Sequence, residues 1–347
     1  MPSDTKSVTG LVKRRRVVFT DETIGREALD MLAPTCDVQV LDQYPSEKTL
    51  IAACADAHGL LARLGTITGR VSEKSPHLSI IARHGVGVDA VDLEMATHHG
   101  VVVTTTGNSN ATAVAEYTFA LLLALARKVN QADRDMRAGE WSREALIGME
   151  LEGKTLGVIG LGAIGRRVAR LAQGFGMRVL AFDPGLIESE DSWVVLTSLE
   201  ELLRRSDVVS LHTRLTPNTW HLLDARAMAS MKPGAFIINT ARGEVLDETA
   251  LIALLESGRL GGAALDTYEN EPLATNSVLR KLTNVILSPH VAGQTKEALS
   301  RVASVAAQAI LDEFAGDQPK YVYNPTAFAN RSAGFPFAGS STKCKTV

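Results

Sequence analysis

The stretch "LGVIGLGAIGRRVARLAQGFGMRVLAFDP", residues 156–184, constrains the fold more than any other part of the chain. Gly160, Gly162 and Gly165 fit G-x-G-x-x-G. The spacing alone is weak evidence, since "HGVGVDA" gathers glycines too, but its setting is specific. An apolar strand at 156–159 precedes the glycines, a helix with Val168, Ala169 and Ala172 on one face follows, and a second strand ends at Asp183. Each glycine has a mechanical reason: Gly160 permits the tight turn, Gly162 lets the backbone approach a pyrophosphate, and Gly165 lets helix and strand pack closely. The helix start offers unpaired N–H donors and positive dipole to phosphates. Asp183 can accept hydrogen bonds from both ribose hydroxyls and would repel a 2′-phosphate, which favours NAD over NADP.

Such a turn usually opens its domain, yet residues 1–155 come first and carry α/β patterning of their own. Strands are expected at 17–20, 38–41, 59–62, 79–82 and 101–104, with helices at 22–32 and 46–55 between them. Residues 108–129 read as one long apolar helix, with an Asn or Ser near its start as cap. From 156 the alternation resumes, with strands at 156–160, 178–183, 207–212, 235–239, 262–265 and 285–287. Helices at 164–172, 199–204, 224–230 and 249–257 separate them, and 295–314 forms a last helix. Strands alternating with helices imply parallel sheets covered on both faces, so the fold class is α/β with two doubly wound parallel-sheet domains. The tail, 331–347, reads as disordered.

Length and composition agree with two soluble domains: 347 residues, 45% apolar and 22% charged. A net charge of −3 gives no general attraction to nucleic acid or anionic membrane. The one dense basic run, Lys13 to Arg16, leads into the first strand and reads as a solvated face. No secretory signal and no transmembrane span is expected. Cys36, Cys54 and Cys344 show no metal or redox spacing, so free thiols, a reducing cytoplasmic location and no bound metal are expected.

Three further stretches, "INTARGEVLDE" (238–248), "AALDTYENEPL" (263–273) and "SPHVAG" (288–293), place Arg242, Glu271 and His290 beyond the carboxyl ends of strands. That edge is where open parallel sheets bind ligands. Beside a dinucleotide, such a set suits hydride transfer to a 2-keto acid. Arg242 would hold the substrate carboxylate and polarise the carbonyl. His290 would give or take the proton at the C2 oxygen. Glu271 would orient the imidazole. Each residue taken singly also has an ordinary structural reading, as surface charge, buried ring or loop decoration.

Together with "HTRLTPNTWHLL" (212–223), "RHGVGVDAVD" (83–92) and "NSNATAVAEYTFALLLALAR" (108–127), these motifs resemble the D-isomer-specific 2-hydroxyacid dehydrogenases, over roughly residues 50–325. The resemblance implies catalytic roles for Arg242, Glu271 and His290 in an enzyme of the alcohol-oxidising, NAD-dependent type. It extends the cofactor set of Gly160, Gly162, Gly165 and Asp183 to Ala163, Ile164, His212, Thr213, Thr240, Ala241, Asp266 and Gly293. Asp266 would hold the nicotinamide carboxamide. It places the substrate carboxylate on backbone N–H groups around Val86 and Gly87. Formate dehydrogenases of the same fold carry Gln where Glu271 stands, so the acid favours hydroxyacid chemistry.

Within that family the look is nearest to D-3-phosphoglycerate dehydrogenases without a regulatory domain. Arg63, Arg83 and Arg143 match positions that face a distal phosphate, the last from a neighbouring subunit. His84 and Arg214 depart from the usual pattern, and Arg214 could reach a 2′-phosphate. Hydroxypyruvate or glyoxylate reduction, a sulfolactate-type activity and an NAD(H)-sensing binding protein are the alternatives. The resemblance also implies a Rossmann NAD domain (107–293) inserted into a flavodoxin-like substrate domain (1–106 plus 294–330), hinged near 107 and 292. A homodimer or larger assembly is expected, with a small anionic 2-hydroxy or 2-keto acid as ligand.

Overall fold

In the computed structural model, which describes residues 14–141 and 143–331, the chain divides into two units. One holds the residues up to Ser109 together with those from Leu299 onward; the other is Asn110–Ala298. The expected domain limits, 106/107 and 293/294, lie a few residues before these divisions.

The first unit alternates strands and helices: β1 (Arg15–Phe19), α1 (Arg26–Leu32), β2 (Cys36–Val40), α2 (Glu47–Cys54), β3 (Gly59–Ala62), α3 (Gly69–Glu73), β4 (Ile80–Arg83), α4 (Leu93–His98) and β5 (Val102–Thr104). The strands pair in parallel in the order β2-β1-β3-β4-β5, the flavodoxin-like order. Alternate residues feed two cores. Val18, Leu60, Ile81 and Val103 pack with Leu50 and Val71 on one face, while Val17, Phe19, Leu61 and Ile80 pack with Ala28 and Ile310 on the other. Burying side chains of this size stabilises by about 1.5–3 kcal/mol each. Because both faces are covered, β3 is apolar along its whole length.

The second unit follows with α5 (Ala111–Ala126), α6 (Val129–Ala138), β6 (Thr155–Ile159), α7 (Ala163–Gly174), β7 (Arg178–Phe182), β8 (Val194–Leu196), α8 (Leu199–Arg205), β9 (Val208–Leu211), α9 (Ala225–Ala229), β10 (Phe236–Asn239), α10 (Glu248–Glu256), β11 (Gly262–Leu265) and β12 (Val285–Leu287). Its seven parallel strands run β12-β11-β10-β9-β6-β7-β8, so the order reverses beside β6, the strand that leads into the glycine turn. This is the Rossmann arrangement with one strand added. The chain continues through α11 (Lys296–Ala315) to α12 (Ala327–Arg331). In the first unit, Asn324 joins the end of the chain to β5, accepting from Val103 N at 2.7 Å and donating to Val101 O at 3.0 Å.

Three local expectations need correction. Residues 108–129 are not one helix: Lys128 adopts a left-handed conformation at φ 54° and separates α5 from α6. The apolar packing of α5 ends at Ala126, and α6 has no buried residue to hold the two in line. Asn110 occupies the N-cap position of α5, but its side chain makes no capping bond. Arg331, assigned to a disordered tail, ends α12 and pairs with the buried Glu313 at 2.7 Å. Residues 332–347, Lys13 and Cys344 lie outside the described residues. Cys36 and Cys54 are buried and free, and burial pushes the Cys54 thiol up to about 12, which leaves it inert. Among the described residues, no helix is long and apolar enough to cross a membrane.

Candidate active site

The glycine turn has the geometry that its spacing requires. Gly160 sits at φ 89°, and a Cβ there would lie 2.7 Å from His212 O. A Cβ on Gly165 would lie 2.0 Å from Gly160 O, a backbone atom that no rotamer change can move aside. Gly162, by contrast, faces open space, since its added Cβ would meet nothing within 4 Å. The first turn of α7 carries no acidic residue to oppose the positive field at its N-terminus. A diphosphate fits there. Asp183, at the end of β7, is held by Leu161 N to Oδ2 at 2.9 Å and Gly185 N to Oδ1 at 3.0 Å. These bonds fix the carboxylate and leave acceptor capacity on each oxygen for ribose hydroxyls.

Elsewhere on the same sheet, the carboxyl ends of β10, β11 and β12 carry the three expected catalytic side chains. His290 Nδ1 lies 2.8 Å from Glu271 Oε2, while Glu271 Oε1 accepts from Tyr268 N at 3.1 Å. Burial alone would raise the Glu271 carboxyl. The hydrogen bond and charge of His290, the Tyr268 amide and the Arg242 guanidinium together hold it below its ordinary value. Glu271 is therefore anionic through the neutral range and fixes one ring nitrogen of His290. The imidazole itself is half exposed. Arg242 is anchored through its backbone, whose carbonyl accepts from Asn239 Nδ2 at 2.9 Å, and its NH1 donates to Ala241 O at 2.6 Å.

Two supports within the quoted motifs escaped the reading of the sequence. Gly243 packs so closely on the Tyr268–Glu269 peptide that a Cβ would lie 1.8 Å from the Tyr268 carbonyl carbon. The loop after β10 and the loop carrying Glu271 therefore rest on each other through bare backbone. Asp266, fully buried, accepts from Ser288 Oγ at 2.6 Å, Val291 N at 2.9 Å and Ala292 N at 2.8 Å. Its own carbonyl accepts from His290 N at 2.8 Å. Asp266 is thus first of all the clamp of the His290 loop. One acceptor position of the four on a carboxylate remains for an amide N–H. Spacing could have suggested neither support, because both depend on contacts between distant loops.

The other expected cofactor residues fall along this edge. Ala163 and Ile164 open α7, Thr240 and Ala241 follow β10, and Gly293 abuts Asn110. Thr240 Oγ1 lies 3.0 Å from Thr118 Oγ1. His212 and Thr213 follow β9; His212 Nε2 lies 2.8 Å from Ser210 Oγ, and burial pushes its pKa down to about 3. Arg214 is exposed on the same loop. His221, Asp247 and Glu269 place potential metal-ligand atoms within 4.8 Å of one another. They are already engaged: Glu269 Oε1 accepts from Glu248 N and faces His221 Nε2, and Asp247 caps α10. This network ties two loops and needs no ion.

In the first unit, Val86 and Gly87 are half-buried on the loop after β4. Arg83 braces that loop, its Nε donating to Gly87 O at 3.2 Å. Arg63 NH1 donates to Thr23 O at 2.9 Å and to Thr23 Oγ1, and lies 3.8 Å from Asp21 Oδ1. Arg143 belongs to the second unit and is exposed just before the 3-10 turn Glu144–Leu146. Beside Val86, His84 is buried. Burial, together with the charge of Arg63, pushes its pKa down to about 4.

The buried His84 makes stability depend on pH. An unfolded chain takes up a proton on this ring near pH 6.5, whereas the folded chain refuses it until about 4. The unfolded state then binds more protons, so stability falls as pH falls through that window, by about 1.4 kcal/mol per pH unit at most. Asp21, Arg63 and Arg83 are its charged neighbours. The His84→Gln variant is expected to lose less stability than the parent between pH 6.5 and 4.5 in urea titrations; equal losses would show that His84 contributes nothing.

A family model described as "D-isomer specific 2-hydroxyacid dehydrogenase, NAD binding domain" matches residues 119–292. The chain is 39% identical over 340 residues to a glyoxylate reductase of Aeropyrum pernix, covering 93% of this chain and all of that one. The chain belongs to the D-isomer-specific 2-hydroxyacid dehydrogenase family. It is also 39% identical over 313 residues to D-3-phosphoglycerate dehydrogenase of Methanocaldococcus jannaschii, covering 89% of this chain but 59% of the relative. Among solved structures, TT0316 protein from Thermus thermophilus superposes with a TM-score of 0.83 at 37% identity, over 89% of this chain and 99% of that one.

As a D-2-hydroxyacid dehydrogenase the protein is an oxidoreductase that uses NAD. The open face of Gly162, the acid-free helix start and the fixed carboxylate of Asp183 all suit that cofactor. Asp183→Asn keeps an oxygen for the Leu161 amide and removes the charge. It is expected to raise the KM for NADH by about tenfold, the scale of one charge-assisted hydrogen bond, and to narrow the preference over NADPH. An unchanged NADH/NADPH ratio in initial rates would count against this role.

Proposed function

We propose that the protein reduces a small 2-keto acid with an uncharged tail, in the manner of a glyoxylate or hydroxypyruvate reductase, and catalyses the reverse oxidation of the D-2-hydroxy acid. The observation that carries the chemistry is the 2.8 Å contact of His290 Nδ1 with Glu271 Oε2, with Arg242 close enough to act on the same carboxylate. When bound, NAD would supply or accept the hydride. Arg242 holds the substrate carboxylate and polarises the C2 carbonyl. His290, with Nδ1 turned to Glu271, donates the proton to the C2 oxygen from Nε2, and takes it back in the oxidative direction.

The similarity to a glyoxylate reductase, which the chain matches along that protein's whole length, supports the uncharged tail. The similarity to D-3-phosphoglycerate dehydrogenase supports a second reading, with 3-phosphoglycerate as the hydroxy acid. A panel of keto acids run with NADH and NADPH in parallel decides between them. Faster turnover of phosphohydroxypyruvate than of hydroxypyruvate or glyoxylate would overturn the first. For assembly, exposed Val129, Met136, Trp141 and Ile147 line a stretch that also holds Arg143, and we infer a homodimer that covers it. A monomeric mass in light scattering would refute this.

A further inference from the structure

Of the motif "HTRLTPNTWHLL", the cofactor edge takes only His212 and Thr213. Its last three residues, His221 to Leu223, run beside the segment that follows Arg242. His221 N donates to Glu244 O at 2.8 Å, Leu223 N to Val245 O at 3.1 Å, and Asp247 N back to Leu223 O at 3.1 Å. Leu223 and Leu246 form a parallel bridge there. Leu223, Val245 and Leu246 all belong to one apolar core, which shields this short ladder from water. The backbone of 221–223 therefore holds the Arg242 loop.

The side chain of His221 reaches the other loop. Its Nε2 lies 2.9 Å from Glu269 Oε1, and a carboxylate oxygen only accepts, so Nε2 is the donor. The same Oε1 accepts from Glu248 N, in the first turn of α10, at 2.9 Å. Trp220 stacks on the imidazole, with ring centroids 3.6 Å apart and planes 13° from parallel. The indole covers one face of the ring, and the His221 and Glu269 side chains are only 22% and 27% exposed. Sheltered in this way, their contact escapes much of the screening that makes surface pairs worth little. Glu269 stands two residues before Glu271, and its amide nitrogen is part of the peptide on which Gly243 rests. His221 itself sits at φ 47°, a left-handed conformation uncommon outside glycine, which persists only where the surroundings hold it.

We propose that His221 and Glu269 are positioning residues for the reaction: they clasp the Arg242 loop to the Glu271 loop and so keep Glu271 where it fixes the His290 ring. This rests on the proton-transfer reading given above. The contact at Gly243 sets how closely the two loops approach, but a steric contact does not stop them from parting. The bond from His221 to Glu269 supplies that restraint, and the Glu248 amide holds the same oxygen from a third side. The ladder at 221–223 keeps Arg242 in place without the imidazole. Losing the clasp therefore loosens Glu271 and its hold on His290, not the grip on the substrate carboxylate.

The test uses whichever of glyoxylate, hydroxypyruvate and phosphohydroxypyruvate the parent reduces fastest, well below the melting temperature. His221→Asn suits the left-handed backbone, but its amide is too short to reach Glu269. Glu269→Ala removes the acceptor, and Glu269→Gln keeps an acceptor oxygen at the same reach. His221→Asn and Glu269→Ala are expected to lower kcat and the single-turnover rate of hydride transfer about tenfold. The KM for the keto acid and the Kd for NADH stay within about twofold, and Glu269→Gln recovers most of the lost rate. A clasp that serves stability alone would lower the melting temperature and leave the single-turnover rate of the folded protein at the parental value. That result overturns the proposal, as does a Glu269→Gln variant as slow as Glu269→Ala; if one of the two disruptive variants does not fold, the other decides. Parental rates in the clasp variants leave the role of His290 intact. Parental kcat in His290→Asn removes the proton-transfer reading, and this proposal with it.

Discussion

His290→Asn is expected to lower kcat by roughly 10²–10⁴-fold, the usual worth of a positioned general acid, while the Kd for NADH changes little. Asparagine is the informative choice because residue 290 sits at φ 54°, a left-handed conformation that Asn tolerates better than most residues. The loop should keep its shape, since Asp266 holds it through the amides of residues 290, 291 and 292 and the hydroxyl of Ser288, none of which involves the imidazole. Only the proton donor is lost. Stopped-flow hydride transfer and NADH fluorescence titration separate the two effects. A kcat within a few-fold of the parent would remove His290 from the chemistry.

The second large effect comes from a residue with no functional group. Gly243→Ala places a methyl 1.8 Å from the Tyr268 carbonyl carbon, 2.1 Å from its oxygen and 2.3 Å from Glu269 N. All three are backbone atoms, so either the loop holding Arg242 or the loop holding Glu271 must move. A displacement of about 1 Å at a reacting group can cost roughly 10²-fold in rate. We expect kcat/KM to fall by at least that factor, with the melting temperature also lowered. The glycine turn lies on other strands, so NADH affinity is expected to survive in the folded fraction. Activity near that of the parent would mean that these two loops need not touch for catalysis.

The sequence made the parallel sheets legible because buried strands leave a simple trace: short β-branched runs such as those at β1, β4 and β10, each followed by helical spacing. It was less informative where an element is short or lightly buried. β8 has three residues, one of them exposed, and α3 and α4 have five and six, too few for a periodicity to show. The break at Lys128 was hidden because helix-forming residues lie on both sides of it. At the site, Arg242, Glu271 and His290 stood out by their places after strands. What restrains them did not. The contact of Gly243 with Tyr268, the hold of Asp266 on the His290 loop and the pairing of Arg63 with Asp21 all join segments far apart in the chain. No local pattern encodes such distances.

The strand order of the second sheet has a consequence for how the enzyme can change. Asp183 and the glycine turn belong to β6 and β7, whereas Arg242, Glu271 and His290 belong to β10, β11 and β12 on the other side of β9. The ribose and diphosphate contacts expected of Asp183 and the glycine turn, and the proton transfer proposed for His290, thus fall in separate stretches of the chain on opposite sides of β9. Substitutions at Asp183 and at His290 sit after strands that are not neighbours in the sheet, so their free-energy effects should add. A lineage of this fold could exchange one dinucleotide for another without re-solving its proton transfer, and could alter its proton transfer without losing its dinucleotide.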